Sequence, residues 1–346
     1  MLQLFKKRGD ETGLTYQHGN FYHNGIWIGK WPLSNFKQLL SRFRLLNRLL
    51  RLEPRLAIAL TDEDYLVAFQ RQLGRLNIKE KRIVETIPSR LGFSTPLNIC
   101  SIQQDNGPVA YWGDYGKDEE KKEKYIYRYT IKDGAKICYT FPAGYINHIH
   151  NILYDKWRNQ FVILTGDFGE KVGIYIANHD FSAVTPFLIG SEDYRACQAV
   201  VMEKGLLWTT DAALIENHVF YADFNQPKQI QKLSSLNGSV INGMEINDGL
   251  LFSTTVECPP SFDKKFTYFS NKIAPGIKSR EVYLIFVSKN LELKTIKIFK
   301  KDIFFIRLFQ YGQVKFPIYE DKTEKEVWVY PVAVKGHDGK PFLIGL

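Results

Sequence analysis

A strand-like segment that ends in an acidic residue recurs four times along the chain at nearly constant spacing. The four segments read VAYWGD, FVILTGD, LLWTTD and LLFSTTVE, and they end at Asp114, Asp167, Asp211 and Glu257. Successive acids are 53, 44 and 46 residues apart, close to the roughly 40–50 residues of one four-stranded propeller blade. The repeat therefore predicts a series of similar β-units, and it constrains the fold more than any other pattern in the chain.

A second repeat, made of turn residues, runs in step with the first. Lys132-Asp133-Gly134, Asn178-His179-Asp180-Phe181 and Ser288-Lys289-Asn290 each separate two β-rich runs. Because Asp, Asn and Gly favour hairpin turns, these segments are predicted to join the two outer strands of a unit. They resemble degenerate copies of the Asp-box, the Ser-x-Asp-x-Gly-x-x-Trp turn of sialidase-like β-propellers.

The two repeats together predict an all-β protein, a six-bladed β-propeller of four-stranded antiparallel blades, with seven blades as the alternative. The aromatic content of 14% suits half-buried strands. Residues 1–33 are expected either to complete the last blade or to contribute to a seventh, and residues 1–346 to form one domain. The predicted units are roughly 55–95, 96–147, 148–192, 193–237, 238–303 and 304–346.

Residues 34–53 are the exception, since they read as an amphipathic helix inserted into the propeller. Ser34 is a favourable N-cap, apolar residues recur at helical spacing, and Pro54 ends the run. The polar face is almost purely basic. Either the helix packs across the rim with solvated arginines, or residues 36–55 contact an anionic membrane surface or an acidic partner.

Composition gives only coarse indications of partners and location. The net charge of +9 favours an anionic ligand, but much of the excess lies in residues 37–55, and no nucleic-acid partner is predicted. The first residues lack the apolar core of a secretory signal. We therefore expect a cytoplasmic location, with contact at the inner face of the membrane as an alternative. The four cysteines are widely separated and are expected to be small buried hydrophobes.

Polar residues of successive blades converge at one mouth of a propeller channel, so the four repeated acids are expected to line a common opening. His148 and His150 share one side of a strand near Asp167. We predict His148, His150, Asp167 and Glu257 as catalytic residues. No cofactor is predicted, although His148, His150 and Asp167 could hold a divalent metal. The alternative is that each histidine satisfies a buried carbonyl or carboxylate group.

A further set of residues is predicted to bind substrate. The guanidinium groups of Arg195 and Arg307 could hold a carboxylate or sulfate group through two hydrogen bonds. The aromatic rings of Trp112 and Tyr115 stand beside acids, as a sugar ring would require. The alternatives are ion pairs within the arc of acids and packing between blades. The full predicted set is Arg195, Asp114, Asp211, Arg307, Trp112 and Tyr115.

These residues favour a propeller that binds or acts on an acidic carbohydrate, by hydrolysis or by elimination. The resemblance to sialidase-like propellers implies the same fold and the same class of ligand. The chain lacks a Phe-Arg-Ile-Pro motif near its start and a third matching arginine, so sialidase activity itself does not follow. The alternative function is a non-catalytic scaffold that binds a protein partner.

Overall fold

The computed structural model describes residues 1–91, 93–116, 118, 120–260 and 268–346. Their strands form seven antiparallel sheets, which are the blades of a propeller ring numbered here along the chain. The strands of blade 1 are β1 to β4, Leu2–Lys6, Leu14–Gln17, Asn20–His23 and Ile26–Lys30. Those of blade 2 are β5 to β8, Leu56–Ala59, Asp64–Phe69, Gln72–Asn77 and Arg82–Pro88. Those of blade 3 are β9 to β12, Cys100–Gln104, Gly107–Gly113, Lys124–Thr130 and Gly134–Phe141.

The remaining blades follow in the same order. The strands of blade 4 are β13 to β16, His148–Asp155, Gln160–Gly166, Gly173–Asn178 and Val184–Ile189. Those of blade 5 are β17 to β20, Ala196–Val201, Gly205–Thr210, Asn217–Asp223 and Ile230–Leu236. Those of blade 6 are β21 to β24, Asn242–Ile246, Gly249–Ser253, Glu281–Val287 and Leu293–Lys300. The strands of blade 7 are β25, β27 and β28, Gln313–Lys315, Glu326–Val332 and Phe342–Gly345. The short strand β26, Ile318–Tyr319, lies between β25 and β27 in the chain but pairs with blade 1.

The first strands of neighbouring blades contact one another around the axis, and the hydrophobic core lies between the blades. Each of the six large buried clusters joins residues of adjacent blades. The ring closes where β26 pairs in parallel with β1, with Phe5 opposite Ile318. The three predicted turn segments lie between the third and fourth strands of blades 3, 4 and 6, which confirms that part of the repeat.

The preferred number of six blades is wrong, and the seven-bladed alternative is correct. Residues 2–30 form a complete four-stranded blade. Two tight turns allow β2, β3 and β4 to pair with one another, so this short segment makes its own backbone hydrogen bonds between strands. The turns at His18-Gly19 and Asn24-Gly25 have positive φ at both residues, as a two-residue hairpin of matching twist requires. The Asn-Gly pair was the sequence signal for this extra blade.

The segment between blades 1 and 2 contains two short helices and not one long helix. Helix α1 is Asn35–Leu40 and helix α2 is Arg44–Leu50. Ser34 caps α1 as predicted, since its side chain accepts a hydrogen bond from the Lys37 backbone N–H. In the part of the chain that the structure describes, no helix has the length and apolar character to cross a bilayer.

The two helices turn part of their basic face inward, so the expectation of solvated arginines is wrong for Arg44 and Arg48. Arg48 is 0% exposed and lies 2.6 Å from Asp302 and 3.0 Å from Asp338. Arg44 contacts Glu53 at 2.6 Å and Asp338 at 2.8 Å. Asp302 follows the last strand of blade 6, Asp338 belongs to blade 7, and Glu53 lies at the end of the segment. The local sequence pattern does not reveal these contacts.

The buried Arg48 pairs should stabilise the docking of the helices on blade 7. We expect Arg48→Met to lower the free energy of unfolding by about 1.5–3 kcal/mol, because it removes charge-assisted hydrogen bonds while Asp302 and Asp338 keep Lys301 and Arg44 as partners. The matched control is Arg42→Met, an exposed arginine of the same segment, which should change stability by less than about 0.5 kcal/mol. Urea denaturation measures both, and equal effects would contradict the structural role of Arg48.

Candidate functional site

The four repeated acids follow the second strands of four successive blades. Asp114, Asp167 and Asp211 directly follow the second strands of blades 3, 4 and 5, and Glu257 lies shortly after the second strand of blade 6. The second strand of a blade runs antiparallel to the first, so these acids lie at the end of the ring where the first strands begin. His148 and Arg195 lie at that same end, at or just before the start of β13 and β17.

His148 and His150 form a buried pair at this mouth. Their Nε2 atoms are 2.8 Å apart. The Nδ1 atom of His148 lies 3.0 Å from the carbonyl oxygen of Gly116, and the Nδ1 atom of His150 lies 2.9 Å from that of Ala196. Burial lowers the pKa of each imidazole to about 4, so both rings are neutral near pH 7.

Arg195 lies at the centre of the carboxylates. Its Nη2 atom is 3.5 Å from an oxygen of Asp167 and 3.5 Å from an oxygen of Asp211, and its Nη1 atom is 3.7 Å from Glu192. Burial disfavours the charged guanidinium, but the surrounding carboxylates outweigh burial and raise the pKa of Arg195. Its Nε and Nη1 atoms are buried without a hydrogen bond among the described residues. This geometry fits a cation that neutralises the acids, the alternative left open above.

Asp211 and Glu257 are the most deeply buried acids of the group that surrounds Arg195. The Cys197 thiol lies 3.2 Å from Asp211 Oδ2, and Ser239 donates a hydrogen bond to Glu257. Burial raises the pKa of Asp211, against the opposing effect of Arg195. Burial and the nearby Asp211 raise the pKa of Glu257 to about 8. Glu257 is therefore protonated near neutral pH and can donate a proton.

Tyr115 connects this cluster with an adjacent cavity. Its ring centroid is 4.8 Å from that of His148 and 4.9 Å from the guanidinium carbon of Arg55. The cavity has a volume of about 670 Å³, and its lining includes Tyr115, Tyr311, Arg55 and Lys315. A larger cavity of about 1170 Å³ adjoins it, since both are lined by Arg55, Leu97, Ile241 and Asn242.

Three other predicted residues lie in different surroundings. Asp114 contacts Arg90 at 3.1 Å and accepts hydrogen bonds from the Tyr125 backbone N–H and the Tyr127 hydroxyl. Trp112 is 5% exposed, stacks on Tyr127 and belongs to the core between blades 2 and 3. Arg307 lines the smaller cavity, and its Nη2 atom donates to the carbonyl oxygen of Pro259. The contacts of Asp114 and Trp112 fit structural roles.

The sequence interpretation missed three residues of this mouth: Arg55, Cys197 and Lys315. Lys315 belongs to blade 7, whose second strand, β27, is not followed by an acid of the repeat. Cys197 was interpreted as a small hydrophobe, yet its thiol contacts Asp211. The signal for Cys197 was its position two residues after Arg195, on the strand that starts at the mouth.

Comparisons with known proteins bear on the fold alone. No family model matches the chain, and no curated protein sequence matches it. A chain of a mitotic checkpoint complex is 9% identical with a TM-score of 0.45, over 78% of this chain and 67% of that chain. A Lactobacillus plantarum protein is 10% identical with a TM-score of 0.42, over 84% and 83% of the two chains.

A prolyl endopeptidase is 10% identical with a TM-score of 0.47, over 82% of this chain and 40% of that chain. At such identities and scores these structures carry no argument about function. The seven-sheet topology itself identifies the β-propeller. No family model and no curated sequence connects the chain with sialidase-like propellers, so that resemblance remains an interpretation of its turns.

The raised pKa of Glu257 predicts a pH-dependent effect of Glu257→Gln on stability. The folded state keeps a proton that the unfolded state releases above the usual pKa of 4.5, so wild-type stability falls as the pH rises from 4.5 to about 8. Gln cannot ionise. The stability of the variant relative to wild type should therefore increase with pH over this interval, by at most about 1.4 kcal/mol per pH unit.

Urea denaturation at several pH values measures this difference. The control is Glu292→Gln, which changes an exposed carboxylate of blade 6 and should keep a constant offset from wild type. A Glu257→Gln curve parallel to that of wild type would show that Glu257 is ionised in the folded protein.

Proposed function

We propose that this mouth of the channel binds an acidic carbohydrate and performs acid–base chemistry on it. The observation that carries the proposal is a set of cations that face a cavity without carboxylate partners, directly beside the histidine and carboxylate cluster. The mouth therefore has a basic half, which would hold the anionic group of a ligand, and a reactive half, which would exchange protons with it.

Lys315 is the central residue of the basic half. It lines the 670 Å³ cavity, and burial lowers the pKa of its ammonium group. Within the described ranges its side chain makes no hydrogen bond or ion pair. The side chain is half-buried, and a partly desolvated cation without a partner is unfavourable, so a ligand carboxylate or sulfate group would gain both charge neutralisation and hydrogen bonds there.

Two arginines extend the basic half. Arg55 donates to the carbonyl oxygens of Thr95 and Pro96, and Arg51 likewise donates to backbone carbonyl oxygens. Among the described residues that line the cavity, the one acid is Glu53, and it already contacts Arg44 and the Tyr330 hydroxyl. The positive charge of the cavity is therefore not neutralised by its own lining.

The size and aromatic lining of the cavity suit a sugar. A volume of about 670 Å³ lies within the range of about 300–1,000 Å³ found for small-molecule sites. Tyr115 and Tyr311 offer ring surfaces next to the cations. Tyr115 also contacts the His148 ring, so a sugar placed against it would lie between the two halves of the mouth.

The reactive half provides both a proton donor and proton acceptors. Glu257 is protonated near neutral pH, whereas His148 and His150 are neutral. A donor and an acceptor beside a bound sugar support either hydrolysis of a glycosidic bond or elimination from a uronate. Both reactions belong to the same proposal, and their products distinguish them.

The test is to measure binding of neutral, sialylated, uronic-acid and sulfated oligosaccharides to the full chain. Acidic members should bind and neutral ones should not. Lys315→Met should weaken binding of the acidic members by about 10- to 100-fold, because it removes one charge-assisted hydrogen bond. The fold should be retained, since Lys315 has no partner among the described residues that would be left unpaired.

The matched control is Lys294→Met, which removes the same charge from an exposed position in blade 6 and should leave binding unchanged. An equal loss of affinity in both variants would mean that only the net charge of the protein matters, and it would contradict the proposed site. Products of the bound members are then analysed: a new reducing end without unsaturation indicates hydrolysis, and an unsaturated uronate indicates elimination. Failure to bind any acidic member would overturn the proposal.

A second candidate function, contact with an anionic membrane surface, is favoured by exposed apolar residues in the helical segment. Phe36, Leu39 and Phe43 are 68%, 51% and 57% exposed, and the side chains of Lys37 and Arg42 are exposed beside them. Apolar side chains that enter the interface, flanked by cations that attract anionic lipids, are typical of peripheral membrane segments.

Sedimentation with vesicles tests this second function. The full chain should bind vesicles that contain phosphatidylserine more strongly than vesicles of phosphatidylcholine alone. Replacing Phe36, Leu39 and Phe43 with Ser should abolish binding, because it removes the apolar side chains that would enter the membrane interface. A control with Ser at Ile26, Leu91 and Ile303, which are exposed elsewhere, should bind as wild type. Equal losses in the two variants, or no binding by wild type, would contradict it.

A further inference from the structure

We propose that His148, His150 and Asp211 bind one divalent transition-metal ion at the mouth of the channel. This inference does not depend on the carbohydrate, because it follows from the hydrogen-bonding requirements of the two imidazoles. An ion bound there would occupy both imidazole lone pairs, and the proton acceptor of the proposed function would then be the carboxylate of Asp167. The decisive geometry is the 2.8 Å separation of their Nε2 atoms, together with the backbone partners of both Nδ1 atoms.

The partners of Nδ1 determine where the protons lie. Each Nδ1 atom lies within 3.0 Å of a backbone carbonyl oxygen, that of Gly116 for His148 and that of Ala196 for His150. A carbonyl oxygen can only accept a hydrogen bond, so each Nδ1 atom must carry the ring proton. In two neutral imidazoles both Nε2 atoms then present lone pairs, and these lone pairs face each other at 2.8 Å.

Two facing lone pairs repel unless a cation lies beside both of them; at 2.8 Å the nitrogen atoms are too close for a metal ion to lie between them. An additional proton would remove the repulsion, but the burial of both rings disfavours an imidazolium ion. A metal ion accepts both lone pairs without protonating either ring. An Nδ1–H group donated to a backbone carbonyl is also the usual support of a metal-binding histidine, since it fixes the tautomer and the ring orientation.

Asp211 supplies the third ligand. Its Oδ2 atom lies 4.0 Å from His150 Nε2, and the ligand atoms of His150, Cys197 and Asp211 all lie within 4.8 Å of one another. Nitrogen and oxygen ligands at about 2.0–2.2 Å from a zinc-type ion lie only about 3–4 Å apart, so small side-chain movements would complete the site. The Cys197 thiol, 3.2 Å from the same oxygen, is within reach as a fourth ligand.

Asp167 is also close to the histidine pair, since the ligand atoms of His148, His150 and Asp167 all lie within 4.8 Å of one another. Its Oδ2 atom lies 3.7 Å from His148 Nδ1, the ring nitrogen opposite the one that would bind the ion, so we assign Asp167 the orientation of His148. Arg195, 3.5 Å from both Asp167 and Asp211, would balance the two carboxylates. Two imidazoles and one carboxylate form a ligand set that suits Zn²⁺ and related ions and leaves a position for a water or substrate oxygen.

Gly166 explains how the histidine pair fits at this position. A Cβ atom at residue 166 would lie 2.2 Å from His150 Nε2 and 2.9 Å from His148 Nε2. The pair therefore packs directly on the glycine, and only a residue without a side chain leaves room for it. Gly166→Ala would displace both ligand atoms without removing either histidine.

The experiment uses the full chain after treatment with a chelator, titrated with Zn²⁺ and with Co²⁺ by calorimetry. Wild type should bind one ion per chain. His148→Ala, His150→Ala and Asp211→Asn should each weaken binding by at least about 100-fold, and Gly166→Ala by at least about 10-fold. His179→Ala changes a histidine in the turn between β15 and β16 of the same blade and should bind as wild type.

Loss of stability is controlled with a glycine far from the histidine pair. A Cβ atom at Gly74 would lie 2.6 Å from Trp31 Cζ3, so Gly74→Ala introduces a comparable clash in the hydrophobic cluster between blades 1 and 2. It should reduce stability while retaining metal affinity. As an independent measurement, Zn²⁺ should raise the melting temperature of wild type and of Gly74→Ala but not that of His148→Ala.

Four results would overturn the inference. Three concern metal affinity: wild type binding no more tightly than His148→Ala, His179→Ala losing as much affinity as His148→Ala, or Asp211→Asn keeping the full affinity of wild type. The fourth is a Zn²⁺-dependent rise in melting temperature that persists in His148→Ala. None of these measurements involves carbohydrate, so a negative result here is distinguishable from failure of the proposed function.

Discussion

The structure depends on burial of apolar surface between neighbouring blades, because no blade can cover both of its faces alone. Each large hydrophobic cluster is shared by adjacent blades, so the blades are stable only as a closed series. Closure is completed where Phe5 and Lys6 of β1 pair with Ile318 and Tyr319. Helix α2 reinforces the same junction through Arg48, whose buried guanidinium contacts Asp302 and Asp338.

Closure also brings residues that are distant in sequence to one opening and divides them by charge. Blades 4 to 6 contribute His148, Asp211 and Glu257, whereas Arg55 follows the helical segment and Lys315 belongs to blade 7. Tyr115 lies between these groups, against His148 on one side and Arg55 on the other. An acidic ligand would be attracted to one half of the opening, and the other half holds the groups that can exchange protons or bind an ion.

Burial gives the reactive half its chemical character. Removal from water keeps His148 and His150 neutral and keeps a proton on Glu257. Arg195 carries the compensating positive charge, because three carboxylates lie within 3.7 Å of its guanidinium. The same ion pairs favour a positioning role for Arg195 within the cluster.

Much of the architecture could be predicted from the chain, because strand alternation and turn chemistry are local properties. The acidic repeat and the turn segments located six units correctly, and Asn24-Gly25 carried an unused signal for the seventh blade. Side-chain surroundings could not be predicted in the same way. Trp112 and Tyr115 are three residues apart, yet the first packs between blades while the second lines the cavity.

The sequence by itself determined the β-blades, their order and the recurrence of acids at one end of them, since these follow from local periodicity. Only the tertiary structure decided that Arg48 turns inward, that Lys315 faces the cavity, and that the Nε2 atoms of His148 and His150 meet on Gly166. The physical reason is that such contacts join elements far apart in the chain, and their geometry is fixed when the ring closes.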